Sequence, residues 1–454
     1  VVSSSADVVV CGAGIAGVSV AFHLAVRQGV HRVLVVDPRP PLTLTSDKST
    51  ECYRNWWPGP GSDMVAFMNR SIDLLEEMAA ESADAFRLTR RGYLYVTADP
   101  SRLEALRRSA EEISRLGAGE LRVHGEDAAG YLPSPSVGWM GVPGGADLLV
   151  GGGLHRRFPY LCEQAVGALH VRRAGWVSAQ QLGAWMLERA RDAGATLVPA
   201  EVTSVEVAGG RVEAVGLEGG ERVRCGAFVN AAGPMFRAVG RLVGEDLPVH
   251  SEVHHKVAFR DVRGALPREA PMVIWHDPQR LAWSDEERAA LEADPATRPL
   301  AGELPAACHG RPEGGSDSPW VVALWEYSRD IREPEWPLPE DPLYPEVVLR
   351  GMTTMVPALA GYLDHLPKTV VDGGYYTKTP ENRPLAGSGE VEGSFLAGAL
   401  SGFGVMAAPA AGDLVARSVV GAPLPDDAGA FRLDRYRDPA YRALMAGQTD
   451  SGQL

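Results

Sequence analysis

The run VVVCGAGIAGVSVAF, from Val8 to Phe22, restricts what this chain can fold into. Four apolar residues predict a buried parallel strand ending at Cys11, and apolar spacing from Ala16 to Ala25 predicts a helix. Between them stands Gly12-Ala13-Gly14-Ile15-Ala16-Gly17, a GxGxxG turn. Gly12 permits the tight reversal and Gly14 lets the backbone approach a pyrophosphate. Gly17 lets the helix pack close on the strand, with the helix N-terminus facing the anion. A second strand, RVLVVD, ends at Asp37, twenty positions beyond Gly17, where a carboxylate accepts hydrogen bonds from a ribose diol. Strand, turn, helix and acid in this register predict a dinucleotide site, and the acid favours a free ribose over a 2′-phosphate. The unit by itself leaves NAD and FAD both open.

The 454 residues, 45% hydrophobic and 22% charged, suffice for two domains sharing an interface. A net charge of -14 without a basic block counts against a nucleic-acid partner or an anionic membrane surface. No apolar run is expected to reach the roughly 20 residues of a membrane span, and a first strand near residue 7 leaves no room for a signal peptide, so the expected location is cytoplasmic. Cys11, Cys52, Cys162, Cys225 and Cys308 are scattered without CxxC spacing, which predicts reduced thiols and no metal site.

Further along, apolar periodicity predicts helices over Asp63–Ser82 and Pro100–Leu116, with a strand GYLYVT between them. GWVSAQQLGAWMLERARDAGA reads as a helix, and three alternating strands follow, joined by Gly-Gly turns at Gly209-Gly210 and Gly219-Gly220. They lead into an apolar strand and the turn NAAGP. From His250 to Asp341 strand-like pieces surround a polar segment, 277–318, with a Ser284/Glu287 capping box, which reads as an insertion in a second, mainly antiparallel domain. Near the C-terminus a strand SFLAGAL, a turn SGFG and a helix over Val405–Val419 complete the pattern.

In order along the chain, GAGIAG with Asp37, the GWVSAQQLGAWMLERARDAGA helix, VNAAGP, TKTPENRPLAG and GALSGFGVMAAPAAG resemble the flavoprotein amine oxidoreductase family that includes D-amino acid oxidase, glycine oxidase, monomeric sarcosine oxidase and dimethylglycine oxidase. The resemblance covers nearly the whole chain. It implies an α/β fold: a Rossmann-like FAD-binding domain of the GR2 type, from residues 1–90, 150–250 and 370–425, beside a mainly antiparallel β-sheet substrate domain from 91–149 and 251–369. It also decides between the cofactors, because a returning glycine motif near the C-terminus has no use in an NAD dehydrogenase. Implied FAD contacts are Gly12, Gly14, Ile15, Ala16, Gly17, Asp37, Ser49, Thr50, Val202, Ala232, Gly233, Gly402, Phe403, Gly404 and Val405. The Gly402-Phe403-Gly404 turn opens a helix and can present amides and a positive dipole end to an electron-rich group.

For the substrate, the resemblance implies Arg54 as the partner of a carboxylate and Tyr376 as a wall of the pocket. His254 and His255 are neighbours on a strand, so at most one faces that pocket, and His255 is the candidate for chemistry. The RNWWPG loop suits either a pocket wall or loop packing. The chain also departs from the family. Gly374 stands where covalent sarcosine oxidases carry a flavin-linking cysteine, and no histidine lies between Asp37 and Arg54, so noncovalent FAD is expected. Met406 replaces a second cationic partner of the carboxylate. No lysine matches the one that helps such oxidases activate oxygen, which leaves O2 or another protein as the electron acceptor and a homo-oligomer open.

The expected reaction is oxidation of the C–N bond of a secondary or primary amine or amino acid by hydride transfer to flavin, giving an imine. Two rivals remain: a 2-hydroxy acid dehydrogenase on the same fold, and an FAD-binding subunit of a larger complex. The bound small molecule discriminates among them, since the fold alone does not.

Overall fold

The computed structural model describes residues 4–448 and 452. Its first layer is a six-stranded sheet in the spatial order Leu385–Ser388, Ser394–Gly398, Ala227–Asn230, Val8–Cys11, Val33–Val36, Thr196–Val198. All neighbours are parallel except the first pair, which is a hairpin. The four residues of Val8–Cys11 are buried on both faces, as a parallel strand between two layers requires. Ile15–Phe22 is the α-helix after the glycine turn, and a wider turn over His23–Arg27 continues it.

Next to that helix lies Gly404–Val420, so the first and last parts of the fold meet. Their backbones approach closely: a Cβ on Gly412 would lie 2.3 Å from Ser19 Oγ, and Ser19 Oγ donates to the Ala408 carbonyl at 2.8 Å. Pro409 interrupts the later helix without breaking it. The buried hydroxyl of Ser71, on the helix Asp63–Glu81, accepts from Ala410 N and donates to the Met406 carbonyl, standing in for one turn of the ladder beside the proline. Contrary to the expectation that no such run exists, Ser401–Val420 is long and apolar enough to cross a membrane, with a mean hydropathy of 1.3. Its apolar window is 72% buried inside this chain, where it packs on Ile15–Phe22 and Asp63–Glu81 as a core helix.

The second layer is a nine-stranded, mainly antiparallel sheet in the order Thr369–Lys378, His250–Arg260, Trp320–Leu324, His309–Pro312, Met272–Trp275, Tyr93–Thr97, Gly167–Val171, Ala146–Val150, Leu121–His124. Two pairs in it are parallel, Met272–Trp275 with Tyr93–Thr97 and Leu121–His124 with Ala146–Val150. This sheet corrects two expected boundaries. His309–Pro312 is a central strand, so the insertion expected over 277–318 ends before it; the capping box at Ser284 and Glu287 lies inside what remains. Gly167–Val171, expected in the nucleotide domain, pairs within the large sheet instead. Arg311 explains why the first was hidden. This strand buries a guanidinium, which donates to the Thr50 carbonyl at 2.7 Å and lies over Trp176, so the strand shows no apolar alternation.

Candidate active site

The glycine turn opens one end of the six-stranded sheet into a groove of about 850 Å³, including its mouth. Gly12 has φ +111°, and a Cβ there would stand 2.3 Å from the Ala231 carbonyl oxygen. A Cβ on Gly17 would stand 1.9 Å from the Gly12 carbonyl oxygen, so this contact sets how close helix and turn can come. Asp37 accepts from Ala13 N at 2.8 Å and from Arg39 N at 2.9 Å, which pins its carboxylate at the groove wall. Ile15 N donates to Ser46 Oγ at 2.9 Å. The rest of the wall comes from distant segments: Leu42–Ser46 with Ser49, Ala231–Pro234, Tyr375–Thr377, and Ala397–Gly402 with Gly404 and Val405. Bare backbone at Gly12 and Gly14, an acid at the end of the second strand and a helix start at Gly404 together suit a dinucleotide.

Of the expected cofactor residues, Gly12, Gly14, Ile15, Ala16, Asp37, Ser49, Ala232, Gly233, Gly402, Gly404 and Val405 line this groove. Gly17 lies behind it, against the turn. Thr50 and Phe403 line the neighbouring cavity. Val202 does not reach the groove: it pairs with Leu217 in a separate three-stranded sheet and packs into the cluster beneath Val9 and Phe228.

The neighbouring cavity, about 420 Å³, shares Ser49, Tyr376 and Gly402 with the groove and adds Arg54, Tyr93, His309, Glu326, Met406 and Gly452. Arg54 is 5% exposed, and its guanidinium is fixed from several sides. Nε donates to the Trp56 carbonyl at 3.0 Å, Nη2 donates to the Gly452 carbonyl, and the plane lies over Trp57 at 4.4 Å and Tyr93 at 5.6 Å. Trp57 also meets Phe403 edge-on at 4.9 Å. The tryptophan-rich loop is therefore the socket of the arginine. Met406 lines the same cavity without supplying a cation.

His255 does not face this cavity. Its Nε2 is 2.9 Å from the Pro339 carbonyl oxygen, in a different hollow walled by Trp325, Asp341 and Tyr344. The neighbouring His254 is on the Tyr376 side, its ring stacked on that tyrosine at 4.0 Å and 16°. The strand register explains the reversal: Glu252 stands opposite Tyr376 and His254 opposite Gly374, so His254 and Tyr376 share a face. Tyr375 turns away, its hydroxyl exchanging hydrogen bonds with the Glu335 backbone. Burial raises the pKa of Tyr376, keeping its hydroxyl protonated.

Sequence reasoning did not single out Glu326, which follows the apolar strand Trp320–Leu324 and reaches both this cavity and the hollow beside His255. An acid just after a buried strand is the one local signal it offers.

All five cysteines are buried and free. Burial pushes the Cys11 thiol up to about 12, so the thiolate is suppressed in the strand under the groove.

The chain matches the family model "DAO: FAD dependent oxidoreductase" over residues 7–418. It is 25% identical over 315 residues to mitochondrial dimethylglycine dehydrogenase of Rattus norvegicus, covering 68% of this chain and 33% of that protein; the chain thus spans about a third of the length of that curated relative. Among solved structures, L-proline dehydrogenase from P. horikoshii superposes with a TM-score of 0.72 at 19% identity, covering 96% of this chain and 99% of the other. Glycine oxidase from Geobacillus kaustophilus gives 0.72 at 20%, covering 95% and 99%. Iminodiacetate oxidase from Chelativorans sp. gives 0.68 at 20%, covering 94% and 98%. The two structural layers and the groove between their shared walls thus have a family: the chain belongs to the DAO family of FAD-dependent oxidoreductases.

Proposed function

We propose that this chain oxidises the carbon–nitrogen bond of a secondary or primary amino acid, giving an imine that water hydrolyses. One relationship carries the reading: the dinucleotide groove and the cavity that holds Arg54 are contiguous through Ser49, Tyr376 and Gly402. FAD, when bound, supplies the acceptor of the hydride that leaves the carbon beside nitrogen.

The chain's own residues then position the substrate and favour the charge that develops. Arg54, locked by Trp57, Tyr93 and the Trp56 carbonyl, anchors the substrate carboxylate through a preorganised fork. With Met406 in place of a second cation, this is a single-arginine anchor. Tyr376 and Phe403 supply aromatic wall, which excludes water and orients the C–H bond. The amides at the start of Gly404–Val420 place a positive dipole end at the groove, which favours negative charge there. Gly374, whose added Cβ would meet Lys48 at 3.1 Å, offers no side chain for a covalent link, in keeping with noncovalent FAD. The five free, buried thiols fit a reducing, intracellular setting.

The test is to release the flavin from purified protein with acid, identify it, and add amino acids or 2-hydroxy acids to native protein without oxygen. Bleaching by amino acids is the expected result. Bleaching by hydroxy acids alone moves the reading to a hydroxy-acid dehydrogenase, and bound flavin that nothing bleaches moves it to a partner subunit. Air and an artificial dye, compared as acceptors, separate an oxidase from a dehydrogenase.

A further inference from the structure

Behind Tyr376 the fold buries a row of four ionisable side chains. Lys378 Nζ donates to Glu252 Oε2 at 2.6 Å, and the same oxygen lies 3.3 Å from His254 Nε2. His254 Nδ1 lies 3.1 Å from Glu326 Oε1. The side chains of Lys378, Glu252 and His254 are 8%, 5% and 4% exposed, whereas that of Glu326 is 15% exposed, and it lines the cavity that also holds Arg54. The row is thus closed inside the sheet and opens at Glu326.

Burial alone pushes the His254 pKa down, yet the carboxylates of Glu326 and Glu252 outweigh it and the net shift is upward. Burial likewise pushes Glu326 up, and the neighbouring His254 and Lys378 outweigh it, so this carboxyl is held below the ordinary range. With His254 protonated the row carries two negative and two positive charges. Such a quartet is costly to build and is weak evidence of added stability, so its placement at a cavity wall calls for a role.

We propose that Glu326 seats the ammonium group of the substrate, so that the cavity selects zwitterions whose carboxylate meets Arg54 and whose nitrogen meets Glu326. This rests on the amino-acid reading given above. The two charged side chains, Arg54 and Glu326, line one cavity, which His309 also lines. A 2-hydroxy acid supplies the carboxylate but no cation for Glu326, so the seat favours amino acids over hydroxy acids through charge complementarity.

The seat binds the protonated substrate. An ammonium nitrogen has no lone pair, so it must lose a proton before its neighbouring carbon releases hydride. The N–H bond breaks, the electron pair stays on nitrogen and the proton leaves to water; Glu326, held below the ordinary carboxyl range, seats the cation and is not the base. His254, gripped by Glu252 on its far side, is a positioning residue that orients the Glu326 carboxylate.

The test uses the flavin-loaded protein and two ligands of one shape. Trimethylglycine carries a fixed positive charge and no nitrogen lone pair, and 3,3-dimethylbutanoate is its uncharged-headed counterpart. Calorimetric titration is expected to show wild type binding trimethylglycine about tenfold more tightly or better, and Glu326→Gln shrinking that ratio to about twofold. A ratio that survives Glu326→Gln, a wild type without preference, or a wild type that binds neither ligand overturns the proposal. Because Glu326→Gln can fail to fold, a crystal structure of wild type with trimethylglycine is the second measurement. The quaternary nitrogen is expected within about 5 Å of the Glu326 carboxylate. A nitrogen seated elsewhere overturns the proposal. Anaerobic bleaching by amino acids separates the two readings: bleaching without cation preference removes only the role of Glu326, while cation preference without bleaching by any amine removes the amine oxidation and keeps the seat.

Discussion

The imidazole of His254 lies 4.0 Å from the ring of Tyr376 and within 16° of parallel, while both its nitrogens face carboxylates. A protonated ring in this position has a pKa raised above the ordinary 6.5. The folded state therefore holds a proton that the unfolded chain releases. The stability this provides is complete below 6.5 and disappears as pH climbs through the raised value. His254→Gln is expected to lower stability in mildly acidic solution and to flatten its alkaline decline. Urea unfolding at several pH values checks this, and an unchanged alkaline slope in the variant would show that His254 does not titrate in the folded protein.

Glu51 behaves in the opposite sense for an acid. Burial pushes its pKa up to about 7, although Arg311 pulls it down. The folded state then binds the proton more tightly than the unfolded chain, so stability falls as pH rises from the ordinary 4.5 through about 7. Glu51→Gln is expected to leave stability unchanged near the lower value and to raise it by about 2 kcal/mol in mildly alkaline solution. Equal effects at both ends of this range would show that the charge is not the cause.

Gly17→Ala places a methyl 1.9 Å from the Gly12 carbonyl oxygen, which is backbone and cannot swing aside. Helix and turn must separate, costing about 3 kcal/mol and deforming the groove. The expected variant is less stable and emerges from gel filtration with little flavin. Gly209→Ala, at a surface turn where an added Cβ meets nothing within 4 Å, controls for the handling but carries its own positive-φ strain.

Arg54→Lys removes the planar fork and its stacking on Trp57, so kcat/KM for amino acids is expected to fall about 100-fold. The same substitution should scarcely affect the corresponding amine without a carboxylate, and steady-state assays with the paired substrates distinguish anchoring from general damage. Arg54 also donates to the Gly452 carbonyl, which occupies part of the fork offered to a substrate carboxylate. A chain ending at Gln448 is accordingly expected to bind carboxylates about tenfold more tightly. Equal affinity in the two chains would show that the contact with Gly452 does not compete.

The dinucleotide half of the site is legible in the sequence because its determinants are local. Gly12, Gly14, Gly17 and Asp37 owe their places to one turn and one strand end, and the Gly402 turn likewise sits between a strand and the helix it opens. What the sequence conceals depends on register and on distant partners. Choosing His254 over His255 requires knowing that Glu252 stands opposite Tyr376, and a one-residue slip would reverse the choice. Glu326 looks like any acid after a strand until His254, Glu252 and Lys378 are folded around it. Val202 is implied only by the family resemblance, and its side chain packs in the core between the three-stranded sheet and the six-stranded one.

The meeting of Ile15–Phe22 with Gly404–Val420 has a consequence for biosynthesis. The groove takes one wall from residues 12–16 and another from 397–405, so a growing chain can make its glycine turn long before it can close anything around it. Until the late helix emerges from the ribosome, Ile15 and Ser19 lack the close backbone of Gly404, Ala408 and Gly412 that they meet in the finished fold. Flavin capture must follow translation of residues 397–405 and the helix they open, and colour in a freshly made sample reports that synthesis ran past them.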